Sequence, residues 1–320
     1  MRIGLVGATG TIGRATAQVL VQRGHDVTCF VRPRADRSAP SVTDGVAVHV
    51  VNVSDPTAFA RDGFRGEPYD AVISCMASRT GAPRDAWAVD HQAHLHLLAA
   101  AQAAGVAHFV QLSAICVQKP LLAFQHAKLA FEAALQASGL RYSIVRPTAF
   151  FKSLSGQIGR VRKGKPFLIF GDGQLTACKP ISDRDLAVYL ADCLGDETRW
   201  NRVLPIGGPG EAITPLQQGT RLFELLERPP QFRSVPVTMM DGIITGLGLA
   251  AAVLPPLAAK AELARIGRYY ATESMLWLDP QTRHYDAAGT PSTGSDTLFD
   301  YYRSVIAGEV SPDLGDHSVF

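Results

Sequence analysis

The amino-acid sequence predicts an α/β protein, with a Rossmann-type, doubly wound parallel sheet and a smaller C-terminal substrate-binding region. A glycine turn, Gly7-x-x-Gly10-x-x-Gly13, directly follows the first apolar run, and short β-branched runs then alternate with helical patterns up to about residue 150. The chain has 320 residues, 47% of them hydrophobic. It is therefore long enough for one large domain or for two that share a boundary.

The predicted strands are short apolar runs, as is typical of strands that are buried on both faces of a parallel sheet. In chain order they are Arg2–Val6, Val27–Val31, Val46–Val51, Ala71–Cys75, His108–Leu112 and Tyr142–Val145. Helical patterns separate them, and the clearest are Ile12–Gln22, Ala86–Ala104 and Leu121–Ala137. This order predicts successive βαβ units.

After Pro147 the pattern becomes irregular, with one further helix at Ser182–Leu194 and a last strand at Arg202–Ile206. We therefore predict an NADP-binding Rossmann domain over residues 1–150, completed by about 182–206. Residues 151–181 and 207–320 are predicted to form the substrate-binding region.

An uncharged run of eighteen residues, Gly242–Ala259, reaches the length of a short membrane-spanning helix. Its three glycines and its Pro-Pro pair argue against a span and favour a packed hairpin. A third interpretation is an exposed apolar surface for a hydrophobic substrate or for peripheral contact with a membrane.

Charge and cysteine content narrow the class of protein. A formal charge of +2 gives no reason to expect a nucleic-acid partner, and we predict no stable protein partner. The five cysteines are scattered without metal-ligand spacing, so no metal site is predicted. The first strand starts at residue 2, which favours a cytoplasmic protein. Such a protein can also lie peripherally at a photosynthetic membrane.

The glycine turn follows a strand and precedes a helix, which is the context that a dinucleotide site requires. Its glycines let the backbone approach a pyrophosphate, whose charge then lies at the helix N-terminus. Loops at the carboxyl ends of the third and fourth strands should reach the adenine and the ribose. The glycine turn and these two loops together give the predicted cofactor contacts, which are Gly7, Thr9, Gly10, Thr11, Ile12, Gly13, Asn52, Val53, Ala77 and Ser78.

The second strand is followed by Val31-Arg32-Pro-Arg34, with no acidic residue before Asp36. A carboxylate at this place would bind a free ribose 2′-hydroxyl and repel a 2′-phosphate. Arg32 therefore favours NADPH as the cofactor.

The segment Phe124-Gln-His-Ala-Lys128 resembles the Tyr-x-x-x-Lys motif of the extended and atypical short-chain dehydrogenase/reductase superfamily, but it lacks the tyrosine. The resemblance covers nearly the first 210 residues and implies that Lys128 binds the nicotinamide ribose and that Ser113 is the third catalytic residue. General acid catalysis contributes about 10²–10⁴ in rate, so phenylalanine at 124 argues against carbonyl reduction. A conjugated carbon–carbon double bond would suffer less, because its reduction produces a delocalised carbanion.

Several later blocks resemble the NADPH-dependent divinyl chlorophyllide 8-vinyl-reductase family. They are Phe124–Glu132, Arg146–Gly156, Phe170–Gly173, Cys178–Leu186, Leu204–Pro209 and Lys260–Met275. The resemblance implies reduction of the 8-vinyl group of divinyl chlorophyllide or protochlorophyllide to ethyl, in chlorophyll or bacteriochlorophyll biosynthesis. The missing cysteine cluster separates the chain from the ferredoxin-dependent enzyme for the same reaction.

The segment after the sixth strand commonly meets the nicotinamide carboxamide, so Pro147, Ala149 and Phe150 are predicted cofactor contacts. A flat porphyrin needs an apolar slot and a cation for its propionate. We predict Phe124, Phe151 and Lys152 as its contacts, although each basic residue from Lys152 to Lys165 could equally be solvated.

Two alternatives stay open on the sequence alone. One is a non-catalytic NADP-sensing regulator or assembly protein, since relatives without the tyrosine include such proteins. The other is an isoflavone- or quinone-type reductase, which shares the lysine and lacks the later blocks.

Overall fold

Strands and helical segments alternate along most of the described part of the first 146 residues, as the apolar pattern predicts. The computed structural model describes residues 1–33, 42–254 and 257–311, without the side chains of residues 252 and 253. The strands are β1 (Arg2–Val6), β2 (Asp26–Val31), β3 (Ala47–Val50), β4 (Ala71–Ser74), β5 (His108–Leu112), β6 (Arg141–Pro147), β7 (Phe167–Phe170), β8 (Arg202–Ile206), β9 (Phe232–Val235), β10 (Trp277–Leu278) and β11 (Tyr285–Asp286).

The helices between them differ in length and in regularity. They are α1 (Thr11–Gln22), α2 (Pro83–Ala86), α3 (His94–Ala103), α4 (Ala123–Gln136), α5 (Ile158–Arg162), α6 (Asp183–Asp192), α7 (Pro215–Leu225), α8 (Val237–Val253), α9 (Leu257–Thr272) and α10 (Leu298–Ala307). The segments Phe59–Phe64 and Trp87–Ala93 are wider π-helical turns. The predicted helix Ala86–Ala104 is thus a π-helical segment that continues into α3.

A seven-stranded sheet carries the order β3-β2-β1-β4-β5-β6-β8. The pairings from β3 to β6 are parallel, and β1 lies between β2 and β4. This arrangement confirms the Rossmann-type fold. The chain reverses its direction of winding between β1 and β4, and ligands of such sheets bind outside the carboxyl ends of the strands at this point.

The core of this sheet explains the apolar runs. Val72, Phe109 and Ile144 come from neighbouring strands and are fully buried, and Phe131 of α4 and Leu97 of α3 cover them. Strands buried on both faces cannot alternate apolar with polar residues, so their sequences are continuous apolar runs.

The chain divides into two compact units. The first comprises residues 1–79, 83–146 and 183–204, and the second comprises residues 80–82, 147–182 and 205–320. In the second unit β7 and β9 form a parallel two-stranded sheet, and β10 and β11 form an antiparallel one. Its core contains Phe151, Phe167, Leu222 and Tyr302.

The apolar run from residue 242 lies mostly on α8, and α9 packs against α8. Asp241 on α8 pairs with Arg268 on α9, which ties the two helices together near one end. The Pro-Pro pair lies outside the described residues. None of the described side chains of α8 is buried, and Leu249 is 72% exposed. Among the described residues, no helix combines the length and the apolar character that crossing a bilayer requires.

Candidate active site

The glycine turn lies at the point where the sheet reverses its winding. Gly7 has φ +83°, and a Cβ there would lie 2.5 Å from the backbone carbon of Cys75, just after β4. A Cβ on Gly13 would lie 2.1 Å from the carbonyl oxygen of Gly7. Both positions therefore require glycine, because the turn, the start of α1 and the end of β4 lie too close together for a side chain.

The N-terminus of α1 has the properties of an anion site. The helix starts after Gly10, no side-chain oxygen caps it, and its first turn contains no acidic residue. Thr9 and Gly10 are exposed, whereas Thr11 and Ile12 are half-buried. The N–H groups of the first turn point out of the helix end, where the helix dipole is positive, and both properties suit a phosphate. This cradle fits the pyrophosphate of a nicotinamide cofactor.

The strand ends beside this turn carry the other predicted cofactor residues. Arg32 follows β2 and is exposed, while Arg34 and Asp36 lie outside the described residues. Asn52 follows β3, and its side chain accepts a hydrogen bond from the Ser54 backbone at 3.2 Å. The following residue, Val53, is buried in the core of the first unit.

Ala77 is exposed after β4, and Ser78 is half-buried beside it. The Ser78 backbone N–H donates to Asp90 Oδ1 at 3.2 Å. The loop after β4 is therefore joined to the π-helical segment by this carboxylate.

Lys128 of α4 is buried and forms an ion pair with Asp90. Its Nζ lies 2.9 Å from Asp90 Oδ1, and neither side chain is more than 9% exposed. The second carboxylate oxygen, Asp90 Oδ2, is buried and has no hydrogen-bond partner among the described residues. Lys128 is thus a buried ammonium fixed by a carboxylate, and not an exposed lysine on the surface of the helix.

Ser113 follows β5, and its hydroxyl donates to Glu132 Oε1 at 2.5 Å. Arg146 of β6 donates to the same carboxylate, at 3.2 Å from its Nε and through a shorter contact from its terminal nitrogen. A hydroxyl has a single proton, and here the Glu132 carboxylate accepts it. Towards a ligand, Ser113 therefore presents lone pairs, which do not polarise a carbonyl oxygen.

Phe124 occupies the first turn of α4, one helical turn before Lys128, and is 9% exposed. Gln125 anchors this end of the helix, because its side-chain oxygen accepts from the Leu121 and Leu122 backbones at 2.7 and 2.9 Å. Its amide nitrogen donates to the carbonyl of Cys116 at 3.1 Å. The hydrogen bonds of Gln125 therefore fix the first turn of α4, and with it the position of Phe124.

A buried histidine, His94, lies in the same unit and contacts β4 and the π-helical segment. His94 of α3 contacts Ser74 of β4 at 2.9 Å through Nε2 and the Val89 carbonyl at 2.8 Å through Nδ1. Burial, with a smaller contribution from the Lys128 charge, lowers the pKa of His94 from 6.5 to about 4. His94 is therefore neutral at pH 7, and it shapes the site without adding charge.

The remaining predicted residues belong to the second unit. Pro147 ends β6 there, and the Ala149 carbonyl accepts from the Ile181 backbone at 2.9 Å. Phe150 and Lys152 are half-buried. Phe151 is buried, with its ring 5.6 Å from that of Tyr301. Phe151 thus packs in the core of this unit, and the cofactor and substrate roles given to these residues stay predictions.

Within the first unit the structure brings together a phosphate cradle, a fixed lysine and a serine whose proton is held. No group of three or more His, Cys, Asp or Glu residues in the described ranges could hold a metal ion. This arrangement can bind a reduced nicotinamide cofactor, and it offers no phenol to protonate an alkoxide.

Reasoning from the sequence missed three charged residues, namely Asp90, Glu132 and Arg146. The signal was available for two of them. Asp90 is the only acidic residue between Trp87 and Ala104, and Glu132 is the only one on α4. A single acidic residue in a largely apolar segment is expensive to bury without a partner, so it indicates a specific contact.

Comparisons with known proteins agree with this geometry. Residues 7–197 match a family model described as NAD(P)H-binding. The chloroplastic divinyl chlorophyllide a 8-vinyl-reductase of Oryza sativa subsp. indica is 50% identical over 329 residues, covering 99% of this chain and 81% of that protein. Its namesake in Arabidopsis thaliana is 46% identical over 327 residues, with coverage of 98% and 78%.

Among solved structures, the NADPH complex of an NADPH-dependent quinone oxidoreductase from Escherichia coli has a TM-score of 0.65. It covers 95% of this chain and 99% of its own, but only 16% of the residues are identical, so the likeness concerns the fold alone.

The sheet, the glycine turn and the match to the family model define an NAD(P)H-binding oxidoreductase with a Rossmann-type fold. Identity of 46–50% over nearly the whole chain then narrows the class. The chain belongs to the divinyl chlorophyllide a 8-vinyl-reductase family.

Proposed function

We propose that this protein reduces the 8-vinyl group of divinyl chlorophyllide or protochlorophyllide to ethyl, with NADPH as the reductant, in chlorophyll or bacteriochlorophyll biosynthesis. The observation that carries the proposal is the site around α4, where a buried lysine lies one turn from Phe124 and the Ser113 hydroxyl donates to Glu132. Such a site retains the cofactor lysine and lacks the acid needed for a carbonyl. The plant relatives, named for this reduction, support the choice of substrate.

The reaction adds two hydrogens across an alkene. When bound, NADPH supplies a hydride, and a proton must reach the other carbon of the former double bond. A vinyl group conjugated to the macrocycle delocalises the negative charge that the hydride leaves, so a strong acid beside the acceptor is unnecessary. We assign Lys128 to the orientation of the cofactor ribose and Ser113 to contacts at the same end of the cofactor.

NADPH, rather than NADH, is proposed from Arg32. A guanidinium matches a phosphate in charge and geometry, and its place after β2 is where a carboxylate would otherwise select the free ribose. Arg32→Ala should lower the preference for NADPH over NADH about 10-fold or more, because charge-assisted hydrogen bonds contribute about 1.5–3 kcal/mol. Arg233→Ala, an exposed arginine on β9, is the matched control and should leave the preference unchanged.

For the pigment we propose contacts with Phe124, Phe151 and Lys152. Phe151 is the weakest of the three, since its ring is already buried against Tyr301. Lys152→Gln should raise KM for a pigment with a free propionate and leave its methyl ester unaffected. An equal change for the acid and the ester would remove Lys152 from the site.

The direct test of function is conversion of the pigment. Purified protein is incubated with divinyl chlorophyllide and NADPH, and the monovinyl product is identified by its blue-shifted absorption and by chromatography. NADPH binding without any product, in air and under anaerobic conditions, would contradict the proposed activity and would favour an NADP-sensing or assembly protein.

Peripheral contact with a photosynthetic membrane is a further part of the proposal. The surface of α8 supports it, because Ile243 and Leu249 on this helix and Leu254 just after it are each about half exposed or more. No charged residue lies between Asp241 and Lys260. An amphipathic or apolar helical surface can lie in the lipid interface without spanning it. We propose a lipid bilayer surface as the occupant, with Lys260 at the phosphate level.

Flotation with vesicles of phosphatidylcholine and phosphatidylglycerol tests this contact. Leu249→Glu should reduce the vesicle-bound fraction, whereas Leu175→Glu, at an exposed leucine outside α8 and α9, should not. Equal binding by both variants would contradict the proposal. Self-association of the native chain without vesicles, lost in Leu249→Glu, would assign the surface to a second copy of the chain instead.

A further inference from the structure

We propose that Asp90 is a cofactor-positioning residue, which fixes Lys128 through one carboxylate oxygen and accepts a hydrogen bond from the nicotinamide ribose diol through the other. The proposal concerns the cofactor site of the proposed reductase and rests on binding of NADPH. It does not depend on which pigment is reduced.

The unsatisfied oxygen is the first observation. Asp90 is 1% exposed, its Oδ1 accepts from both Lys128 and the Ser78 backbone, and its Oδ2 has no partner in the described part of the chain. An ionised carboxylate can only accept hydrogen bonds, and a buried acceptor without a donor is costly. A ligand that brings a hydroxyl donor would remove this cost.

The local backbone is the second observation. Asp90 lies in the π-helical segment Trp87–Ala93, whose wider turns are rare and occur often at functional sites. The segment directs Asp90 towards α4, where it meets Lys128. An ordinary surface helix would have no reason to bury a single carboxylate in this way.

The donors of Lys128 are the third observation. A buried ammonium has three donors, and one of them is used by Asp90. A vicinal diol carries both acceptor oxygens and hydroxyl protons, so it can accept from Lys128 and donate to Asp90 Oδ2 together. Ribose is such a diol, and the glycine cradle of the same unit suits the pyrophosphate to which it is joined.

The test compares two ligands that share the adenosine half of the cofactor. NADPH contains the nicotinamide ribose, whereas adenosine 2′,5′-bisphosphate does not. For Asp90→Asn we expect affinity for NADPH to fall about 10- to 100-fold, the range for losing a hydrogen bond with a charged group. Affinity for the bisphosphate should stay within about 2-fold, which also shows that the variant is folded.

Asp85→Asn is the matched control. Asp85 also accepts a backbone N–H from the loop after β4, at 3.0 Å from Arg79, and it lies outside the Lys128 pair. This variant should bind both ligands like the native chain. If Asp90→Asn weakened both ligands equally, or weakened neither, the positioning role would be overturned.

A second experiment, in a Lys128→Met background, distinguishes the role of Asp90 Oδ1, which binds Lys128, from the proposed role of Oδ2, which binds the ribose. If Asp90 contacts the ribose itself, adding Asp90→Asn to Lys128→Met should lower NADPH affinity further. No further loss would show that Asp90 acts only through the lysine, and the ribose contact would be wrong. All these measurements use binding, so failure of the pigment assay would leave them intact and failure here would leave the pigment reaction open.

Discussion

Glu132 determines what Ser113 can do. In a carbonyl-reducing site a serine hydroxyl donates towards the substrate oxygen, but here Ser113 donates to a buried carboxylate that Arg146 also binds. The phenol is missing at Phe124, and the serine proton is already used. Two separate residues therefore oppose carbonyl reduction, which makes the choice of an alkene more secure than the missing tyrosine alone.

Restoring the phenol should consequently fail to restore carbonyl chemistry. In Phe124→Tyr we expect pigment turnover within about 3-fold of the native rate, because a delocalised carbanion gains little of the 10²–10⁴ that an acid gives an alkoxide. We also expect no NADPH oxidation with simple aldehydes or ketones. Strong acceleration with the pigment, together with carbonyl reduction by the native chain, would contradict this interpretation.

Substitutions of two glycines in the turn should affect different properties, namely the stability of the fold at Gly13 and the binding of NADPH at Gly10. Gly13→Ala would put a Cβ 2.1 Å from a backbone oxygen and should cost about 1–3 kcal/mol of unfolding free energy by overpacking. At Gly10 the nearest atom to such a Cβ is 3.4 Å away, so Gly10→Ala should keep its stability and lose NADPH affinity. Urea unfolding and cofactor titration of both variants check this. Equal loss of stability in both would contradict it.

Among the elements, α4 contributes most to the site. Phe124, Lys128 and Glu132 are spaced by four residues and therefore lie on one face of the helix. Lys128 and Glu132 could pair with each other at this spacing, but each bonds to another element instead. One helix thus positions Phe124, the buried Lys128 to which we assign the cofactor ribose, and Glu132, which accepts the Ser113 proton.

The leucines of α7 and α8 differ in how far they are buried. Leu222 on α7 is 0% exposed, and Leu249 on α8 is 72% exposed. Leu222→Ala should lower the free energy of unfolding by about 2–5 kcal/mol, the usual range for a buried leucine. Leu249→Ala should change it by about 0.5 kcal/mol or less. Urea unfolding measures both, and a large loss in Leu249→Ala would mean that α8 is covered.

At the scale of the whole molecule, the sheet was predictable, whereas the partners of the buried charged residues were not. Strand prediction relies on continuous apolar runs, and β1, β5 and β8 have the predicted bounds. The π-helical segment before α3 was missed, since its sequence has the same apolar character as an α-helix. The burial of Asp90 depends on Lys128, 38 residues further along, and a periodicity within one helix cannot show such a pair.

The apolar run from residue 242 shows a second limit of prediction from the sequence, which concerns how much of a helix surface is covered. Its composition allowed a span, a packed hairpin or an exposed surface, because hydropathy does not say what covers a helix. The structure has two helices that pack together, while the described side chains of α8 stay at least partly exposed. The packed hairpin and the exposed surface, which the sequence left as alternatives, therefore each describe a part of what the structure has here.

The stability of the whole chain should depend on pH through its buried histidines. Burial lowers the pKa of both His94 and His108 from 6.5 to about 4. The unfolded chain therefore binds protons that the folded chain cannot, so stability is complete above pH 6.5 and falls as the pH drops towards 4. Between pH 7 and pH 5 each histidine should lower the free energy of unfolding by about 2 kcal/mol.

Urea unfolding of His94→Gln at both pH values isolates one of these contributions. The variant should be less stable than the native chain at pH 7, because the contacts with Ser74 and the Val89 carbonyl are disturbed. Its further loss on going to pH 5 should nevertheless be smaller than the native loss by about 2 kcal/mol, since no titrating group is left at that position. His126→Gln, at an exposed histidine of α4, should keep the native loss. A full native loss in His94→Gln would show that His94 takes up its proton in the folded state and that the polar network beneath Lys128 is open to water.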